Sequence, residues 1–446
     1  MDMATSTRES KSMLLNVGPS HPAMHGVIRL ITELEGETVV KVEAEIGYLH
    51  RAFEKSCENS TWTQAIPYTD RLNYVSPLIN NFGYCGAVEK LLGIQVTERC
   101  QYIRVLMSEV SRITDHLTCI AASAMELGAM TAFLYFMKAR EALYEIVEEV
   151  TGARLTISYG RVGGVKADLP DGFDRKLAEA LRAVEKELVE VDKLLTRNRI
   201  FYDRMRDVGV LTPEDAVSYG ITGPMLRASG VNYDVRKAFP YHVYDRMDFE
   251  VPLGERGDNY DRYLVRMEEM RQSLRIVRQA MKDMPGGPII VDAQGKVIES
   301  FDLVDQAKIG HTAGLVNIRT SVEPTLDGTQ RIFHDRILPD EKRVVLPPKE
   351  DTYGNIEGLM NHFKIIMDYH GIRPPVGDTY FAVEGGNGEL GFYVVSDGTD
   401  RPYRVRVRPP CFFAMAGLHK MLEGYMVADM VPTFGSINMI AGELDR

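Results

Sequence analysis

Residues 97–124, TERCQYIRVLMSEVSRITDHLTCIAASA, decide the fold class of this chain. Thr97 and Glu98 are typical of a helix start, because threonine caps the first turn and glutamate suits its positive end. After them, apolar residues recur every three or four positions, at Ile103, Met107, Val110, Ile113, Leu117, Ile120 and Ala124. That spacing matches the 3.6 residues of a helical turn. The stretch therefore predicts a long helix that buries one face.

Three more segments carry the same helical period. The second helix follows Thr131 and is apolar at Phe136, Leu143, Ile146, Val147 and Val150. The third is heptad-like, with Leu177, Leu181, Val184, Leu188, Val191 and Leu195. The fourth runs from about Tyr260 to Met284 and is apolar at Met267, Met270, Leu274, Val277 and Met281; Pro285 and Gly286 end it. Helices with such apolar stripes predict a central bundle.

Both ends of the chain show the alternation of apolar and polar residues that is typical of β-strands. Near the start, VIRLITELEGETVVKVEAEIG (27–47) predicts a hairpin that pairs 27–34 with 38–46. Near the end, residues 379–410 predict two hairpins that turn at GGNG (385–388) and at DGTD (397–400). The predicted fold class is α+β, with a central long-helix bundle and small antiparallel β elements near the N- and C-terminal ends.

Composition excludes several classes of protein. The chain has 446 residues, 45% of them hydrophobic and 26% charged, a balance typical of soluble globular proteins. A formal net charge of −11 argues against general nucleic-acid binding, which needs a cationic surface. No uninterrupted apolar run of about 18 residues occurs, and residues 1–16 lack the apolar core of a secretory signal. We therefore expect a cytoplasmic protein that can dock on a membrane complex.

Two histidines stand four residues apart in GPSHPAMHG, residues 18–26, called the histidine loop below. Its two prolines lack backbone donors and glycines bracket it, so the sequence predicts a stiff loop and no helix. A metal site of His21, His25 and His50 is one alternative, but HxxxH metal sites rely on a helix to place both rings on one face. Structural loop histidines are a second alternative, and a direct functional role for His25 is favoured over both.

Other chemical motifs are missing from the sequence. There is no GxGxxG motif that opens a helix and no GxxxxGK[ST] motif, and EGGNGELG fits a hairpin turn. None of the cysteines forms a CxxC pair, so a four-thiolate zinc or iron–sulfur site is not expected within this chain. The sequence favours buried, reduced thiols at Cys57, Cys85, Cys100, Cys119 and Cys411.

The chain resembles a known family through ordered motifs: GPSHPAMHG, YLHRAFEK, PYTDRLNYVSPL, ELGAMTAF, GPMLRASG, GDNYDRYLVRMEEMRQS and GELDR. The family is the D subunit (49-kDa-type subunit) of respiratory complex I, NADH:quinone oxidoreductase, which is related to the nickel–iron hydrogenase large subunit. The resemblance covers residues 13–292 and 346–446. We expect a flexible tail (1–12), a hairpin region with the histidine loop (13–60), a helical bundle (61–292), a family-atypical insertion (293–345) and an α+β region (346–446).

The resemblance implies that this chain forms one wall of a quinone chamber. It places the ligands of the quinone headgroup at His25 and Tyr74. Imidazole titrates near neutrality and a phenol donates a hydrogen bond, so the two can hold and protonate the two quinone oxygens. His21 is a weaker candidate for lining the site. Arg51 is placed near the partner's iron–sulfur cluster, where a cation stabilises the reduced, more negative state.

Glu126 departs from the family pattern, because the resemblance places an aspartate at this position as the partner of the headgroup histidine. Glutamate keeps the charge and adds one methylene. An ionised carboxylate beside an imidazole orients the ring and favours its protonated form. We therefore expect Glu126 to pair with His25, although a purely structural pair with another basic residue is an alternative.

The resemblance also implies substrates, cofactors and partners. Quinone, either ubiquinone or menaquinone, is the substrate, while iron–sulfur clusters and FMN are held by partner subunits. NADH or another donor feeds the assembly. We expect other peripheral-arm subunits and membrane-arm subunits as partners, no metal in this chain, and a peripheral position on the cytoplasmic face of the cell inner membrane, within a proton-translocating complex.

Two other functions compete with this interpretation. Hydrogenase large subunits bind nickel and iron through two CxxC pairs, but the counterparts here read EIGYLHRAFEK, without cysteine, and RPPCFFAMAG, with Cys411 alone. Stoichiometric nickel would identify a hydrogenase. The second alternative is a non-catalytic structural scaffold of a hydrogenase-related membrane complex. The presence of both His25 and Tyr74 argues against a scaffold.

Overall fold

A computed structural model describes residues 12–291, 320–324, 330–334, 344–347, 349–367 and 369–446. The predicted tail lies outside the described residues except for its last residue. The predicted insertion also lies outside them, apart from 320–324, 330–334 and 344–345. The predicted segment boundaries stay predictions.

Helices dominate the described part of the chain. In chain order, they are α1 Phe53–Asn59, α2 Ile66–Thr69, α3 Pro77–Leu92, α4 Glu98–Glu126, α5 Met130–Thr151, α6 Phe173–Leu195, α7 Arg199–Met205, α8 Pro213–Ser218, α9 Pro224–Ala228, α10 Val235–Ala238, α11 Asn259–Asp283, α12 Lys349–Gly354, α13 Ile356–Ile366, α14 Pro410–Ala416, α15 Leu418–Leu422, α16 Val427–Ile437 and α17 Ala441–Asp445. The strands are β1 Ser12–Val17, β2 Arg29–Glu35, β3 Thr38–Glu45, β4 Gly160–Arg161, β5 Gly164–Val165, β6 Thr320–Pro324, β7 Gln330–His334, β8 Gly377–Glu384, β9 Glu389–Ser396 and β10 Arg404–Arg408. The predicted α+β fold class is confirmed.

The long helix α4 is the centre of the bundle and packs against α3, α5 and α11. Thr97 caps it as predicted, because its hydroxyl accepts a hydrogen bond from the amide of Cys100. The predicted apolar face of α4 is buried throughout, and so are those of α5 and α6. Met281 of α11 differs from the prediction, since it is only half-buried near the end of its helix.

Two three-stranded antiparallel sheets flank the bundle, in the orders β1–β2–β3 and β8–β9–β10. The N-terminal hairpin forms between the predicted segments: β2 pairs with β3, and Glu35 lies opposite Thr38 at the turn. The structure adds β1, which pairs with β2; its short run of sequence does not alternate clearly enough to predict a strand. At the other end, the two predicted hairpins share β9 and form one meander.

The histidine loop contains one short helical turn, which corrects the expectation that no helix forms there. A single 3₁₀ turn spans Pro22–Met24, and the amide of Met24 donates to the carbonyl of His21. Proline is tolerated here because the amide of the first helical residue has no hydrogen-bond acceptor within the helix. His25 ends the turn in the left-handed conformation, with φ of 45°.

Two hydrophobic clusters organise the described residues. The first fills the helical bundle and reaches the sheet β8–β10. The second joins the N-terminal sheet to the helices near the end of the chain, and it includes Met24, Met430 and Phe434. Helix α16 packs against both α4 and the 3₁₀ turn, so it joins the two clusters at the C-terminal end of α4. That junction positions the candidate site.

Candidate functional site

The histidine loop is anchored by its short turn. Met24 is fully buried in the second cluster, and Ala23 is 9% exposed. The next residue, His25, lays its ring edge-on against Phe434 of α16, with 6.3 Å between ring centroids. Because the turn is buried and the His25 ring contacts Phe434, the position of the imidazole is fixed even though the loop is short.

His25 and Glu126 form a close pair. His25 Nε2 lies 2.6 Å from Glu126 Oε1, and the two side chains are 18% and 7% exposed. The contact lacks good hydrogen-bond geometry, and Nε2 and both carboxyl oxygens have no aligned partner among the described residues. Such atoms retain hydrogen-bonding capacity for another group. The structure thus brings together the two residues at a distance that permits proton sharing.

The electrostatics of this pair are set by burial. Burial raises the pKa of the Glu126 carboxyl above its ordinary value, while the contact with His25 and the more distant His21 offset part of that rise. The carboxyl is therefore easier to protonate than an exposed glutamate. Since Glu126 is the last residue of α4, the central helix of the bundle supports its backbone.

Tyr74 lies between α2 and α3 and packs against the second cluster. Burial raises the pKa of its phenol, Cys411 and Asp115 raise it further, and Arg51 lowers it. The phenol is thus kept neutral and able to donate a proton. His25 and Tyr74 border the same cluster, one through its ring contact with Phe434 and the other directly.

The other predicted residues, His21, Arg51 and His50, each make a different polar contact. His21 is exposed, and its Nδ1 accepts a hydrogen bond from the amide of Ala23, 3.2 Å away. Arg51 is exposed, and its Nη2 donates to the carbonyl of Arg71, 2.7 Å away. His50 Nδ1 lies 2.6 Å from a backbone carbonyl near the end of the chain. Within the part of the chain that the structure describes, the three histidines of the metal alternative do not gather into a metal-binding group.

Comparison with known proteins identifies the family. The family model for the respiratory-chain NADH dehydrogenase 49 Kd subunit matches residues 126–446. The NADH-quinone oxidoreductase D subunit of Myxococcus xanthus is 51% identical over 438 residues, covering 98% of this chain and 94% of the relative. A D subunit of Sorangium cellulosum, the first of a numbered set, is 49% identical, with 100% and 98% covered. The chain belongs to the family of NADH-quinone oxidoreductase D subunits. Family membership displaces the hydrogenase alternative.

A longer relative also matches this chain. The NADH-quinone oxidoreductase C/D subunit of Bdellovibrio bacteriovorus is 47% identical over 436 residues, which cover 98% of this chain and 69% of that relative. That relative is longer than the matched region, and its name combines two subunits. As a member of the D-subunit family, this chain is a subunit of an oxidoreductase complex.

Neither a metal-binding group nor a helix suited to span a membrane occurs among the described residues. There, no three or more histidine, cysteine, aspartate or glutamate side chains gather as a metal site would need. All five cysteines are free and buried, and burial raises the pKa of Cys57 and Cys85 to about 12. In the same part of the chain, no helix combines the length and the apolar character that a bilayer span requires.

A buried polar cluster near Tyr74 was missed by the sequence reasoning. Its centre is Asp115 on α4, which is 0% exposed and accepts hydrogen bonds from Asn73, Ser76 and Asn438. On a helix with an apolar stripe, a polar residue off the stripe is interpreted as solvent-exposed. The available signal was the motif PYTDRLNYVSPL, which contains Asn73 and Ser76, but the resemblance implied a role only for Tyr74 within it.

Proposed function

We propose that this chain is the quinone-site subunit of NADH:quinone oxidoreductase. It binds the quinone headgroup between His25 and Tyr74 and supplies protons as electrons arrive from an iron–sulfur cluster in a partner subunit. One observation carries this proposal in a chain of this family: His25 Nε2 stands 2.6 Å from the Glu126 carboxyl, and both retain unfilled hydrogen-bonding capacity.

Each of the three side chains has a separate role. Reduction of a quinone requires two electrons and two protons, and the proton donors must lie within hydrogen-bond reach of the oxygens. His25 donates to one oxygen, and Glu126 orients its ring and shares its proton. Tyr74 donates its phenolic proton to the other oxygen. His21, at the rim of the loop, adds a weaker polar contact.

The electron carriers belong to partner subunits. Iron–sulfur clusters and FMN are held outside this chain, and Arg51 contributes a positive charge to the wall that faces the nearest cluster. The partners are the cluster-bearing subunit, other peripheral-arm subunits, among them a C-type subunit, and the membrane-arm subunits. The chain lies peripherally on the cytoplasmic face of the cell inner membrane and takes part in proton translocation through the whole complex.

The test is Tyr74→Phe in the assembled complex. The change removes one hydroxyl and keeps the ring, so we expect a loss of about 0.5–1.5 kcal/mol, roughly 2- to 12-fold in quinone reduction. NADH oxidation by an artificial acceptor at the flavin should stay normal.

Tyr260→Phe is the matched control. Its hydroxyl donates to the carbonyl of Thr196, 2.8 Å away, on a helix of the bundle, so this variant loses one phenolic hydrogen bond without touching the site. Unchanged quinone kinetics in correctly assembled Tyr74→Phe enzyme would contradict the role of Tyr74, and a structural scaffold would then explain the chain better.

A further inference from the structure

A buried carboxylate holds the chain on both sides of Tyr74. Asp115, on α4, is 0% exposed, and its Oδ2 accepts hydrogen bonds from Asn73 Nδ2 at 2.9 Å and from Ser76 Oγ at 2.8 Å. Asn73 directly precedes Tyr74, and Ser76 follows it two positions later. One oxygen of one side chain therefore joins the turn that carries the phenol to the central helix of the bundle.

Asn73 and Ser76 are both committed to this contact. The side-chain oxygen of Asn73 accepts from the amides of Val75 and Ser76 at 3.1 Å and 3.3 Å, so its amide nitrogen is the group that faces Asp115. Ser76 is the N-cap residue of α3, where a serine hydroxyl ordinarily accepts a hydrogen bond from the helix. Here the side chain makes no capping bond and donates to Asp115 instead. The carboxylate thus shapes the turn around Tyr74.

Two further contacts fix the orientation of the Asp115 carboxylate. Its Oδ1 accepts from Asn438 Nδ2 at 2.8 Å, and Asn438 is the residue at which α16 ends. On the opposite side, a side chain on Gly386, in the turn between β8 and β9, would collide with Oδ2. The three donors, Asn73, Ser76 and Asn438, are each at most 5% exposed, so bulk solvent does not compete for these oxygens.

We propose that Asp115 is a positioning residue of the quinone site, which holds the Tyr74 phenol where it reaches a quinone oxygen. This inference rests on the function proposed above. Asp115 is fully buried and does not contact the quinone; it acts through Tyr74, because it fixes the backbone before and after that residue. A phenol must lie within about 3 Å of the oxygen, and well aligned, to bind it and give it a proton. A small displacement of the turn therefore weakens both steps.

The first test replaces the carboxylate by its isosteric amide in the assembled complex. In Asp115→Asn, the new NH₂ group must face the side-chain nitrogen of Asn73 or that of Asn438, and both are donors. We expect the reduction of a short-chain ubiquinone, measured per assembled complex, to slow by roughly 2- to 12-fold, as in Tyr74→Phe. NADH oxidation by an artificial acceptor at the flavin should stay normal.

An exchange of the two groups should restore the contact. In the double variant Asn73→Asp with Asp115→Asn, the carboxylate at position 73 can accept from the amide nitrogen at position 115 and from the backbone amides that Asn73 now caps. The oxygen of the new amide can accept from Asn438. Asn73→Asp alone places two carboxyls in contact, of which only one can easily stay ionised. We therefore expect the double variant to recover most of the wild-type rate and to exceed both single variants.

The effect of Asp115→Asn in the Tyr74→Phe background separates positioning from a general loss of structure. Residues that act as a unit have non-additive effects, so once the hydroxyl is gone the second change should slow quinone reduction by less than about twofold. A general loss of structure would instead multiply the two factors. The comparison needs kcat and KM for the quinone in all four proteins: wild type, both single variants and the double variant.

Asp258→Asn is the matched control. This aspartate is also 0% exposed, and its carboxylate accepts from the amides of Asp261 and Asp207 at 2.7 Å and 2.9 Å, at the start of α11. The variant makes the same chemical change at a buried site that has no contact with the turn around Tyr74. Its kcat and KM for the quinone, per assembled complex, should equal those of the wild type.

The outcomes distinguish this inference from the proposed function. If Tyr74→Phe slows quinone reduction but Asp115→Asn does not, or if their factors multiply, Asp115 does not position the phenol and the quinone site stands. An assembled exchange variant no faster than Asp115→Asn would overturn the proposal as well. No effect of Tyr74→Phe would contradict the proposed function itself, whatever Asp115→Asn does.

A milder pair of variants decides the matter if neither Asp115→Asn nor the exchange variant assembles. Ser76→Ala removes one of the two donors beside Tyr74 and should slow quinone reduction. Ser229→Ala removes another buried serine hydroxyl, which donates to the carbonyl of Leu211 at 2.8 Å, and should not. Equal quinone kinetics in these two variants would overturn the proposal.

Discussion

Helix α4 supplies one member of each of two histidine–glutamate pairs, which differ in burial, in hydrogen-bond geometry and in the pKa of the glutamate. At its C-terminal end, Glu126 lies 2.6 Å from His25, with side chains 7% and 18% exposed. In its middle, His116 Nε2 lies 2.8 Å from Glu269 Oε2, with side chains 0% and 1% exposed. The inner pair has good hydrogen-bond geometry, and the outer pair does not.

The difference comes from a third residue. Burial alone would raise the pKa of Glu269, but the charge of Arg227, with Nη2 at 2.7 Å, and the hydrogen bond from His116 hold that pKa well below its usual range. Among the residues that the structure describes, no arginine pairs with Glu126, so burial prevails and the pKa of Glu126 is raised. A guanidinium therefore fixes the charge of the inner pair, while the outer pair can gain or lose a proton.

The largest effect should come from breaking the inner pair. Glu269→Gln removes the negative charge beside Arg227 and His116, and loss of one member of a buried ion pair costs about 3–5 kcal/mol. We expect a strong decrease in the amount and melting temperature of the assembled complex. Glu126→Gln, the same chemical change on the outer pair, is the control and should assemble at the wild-type level. Equal assembly of both variants would remove the distinction between the pairs.

Substitution in the outer pair should instead change the rate of quinone reduction. Glu126→Gln should slow quinone reduction roughly 10- to 150-fold, about 1.5–3 kcal/mol in activation free energy, because the carboxylate that pairs with His25 is lost. Glu126→Asp should be tolerated, and electron transfer from the donor to the iron–sulfur clusters should stay normal in both variants. Full quinone turnover in Glu126→Gln would show that this carboxyl is not on the proton path.

The smallest effect is the pH dependence of stability, which should have opposite signs for the two glutamates. The pKa of Glu269 is lowered from 4.5, so its stabilisation is present above that value and is lost as pH falls toward the folded-state pKa. The pKa of Glu126 is raised from 4.5, so its contribution is present below that value and is lost as pH rises through the folded-state pKa. Melting temperatures of assembled complexes across pH should show that Glu126→Gln removes the second change and not the first.

Periodicity predicted the elements that bury one clear face. The stripe from Ile103 to Ala124 and the heptads of α6 were sufficient, because burial on one side leaves a regular record in the sequence. Helix α3 was not assigned, since it is buried on nearly all sides between α4 and the β8–β9 sheet and shows no contrast between faces. The 3₁₀ turn at Pro22 escaped because its stability comes from packing of Met24 in a distant cluster.

For the candidate site too, the sequence did not show which distant residues contact each other. The motif resemblance pointed to His25, Tyr74 and Glu126, and the structure adds the 2.6 Å separation within one pair. The buried polar cluster around Asp115 needed the fold, because its partner Asn438 lies 323 residues further along the chain and each member alone resembles an ordinary polar residue. A sequence pattern records local periodicity, whereas the charge state of a buried carboxyl depends on which distant donors reach it.

The contacts of α17 have a consequence for the order of synthesis. The Asp445 carboxylate accepts hydrogen bonds from the amides of Gly47 and Leu49, 398 and 396 residues earlier in the chain. At about 5–20 residues per second, a ribosome needs roughly 20–80 s to make the intervening chain. During that interval, the loop before α1 lacks its acceptor, and the histidine loop lacks Phe434. The histidine loop and helix α16 therefore meet only after residue 434 has been made, so a chain that stops before α16 would carry the histidine loop without the helix that packs on it.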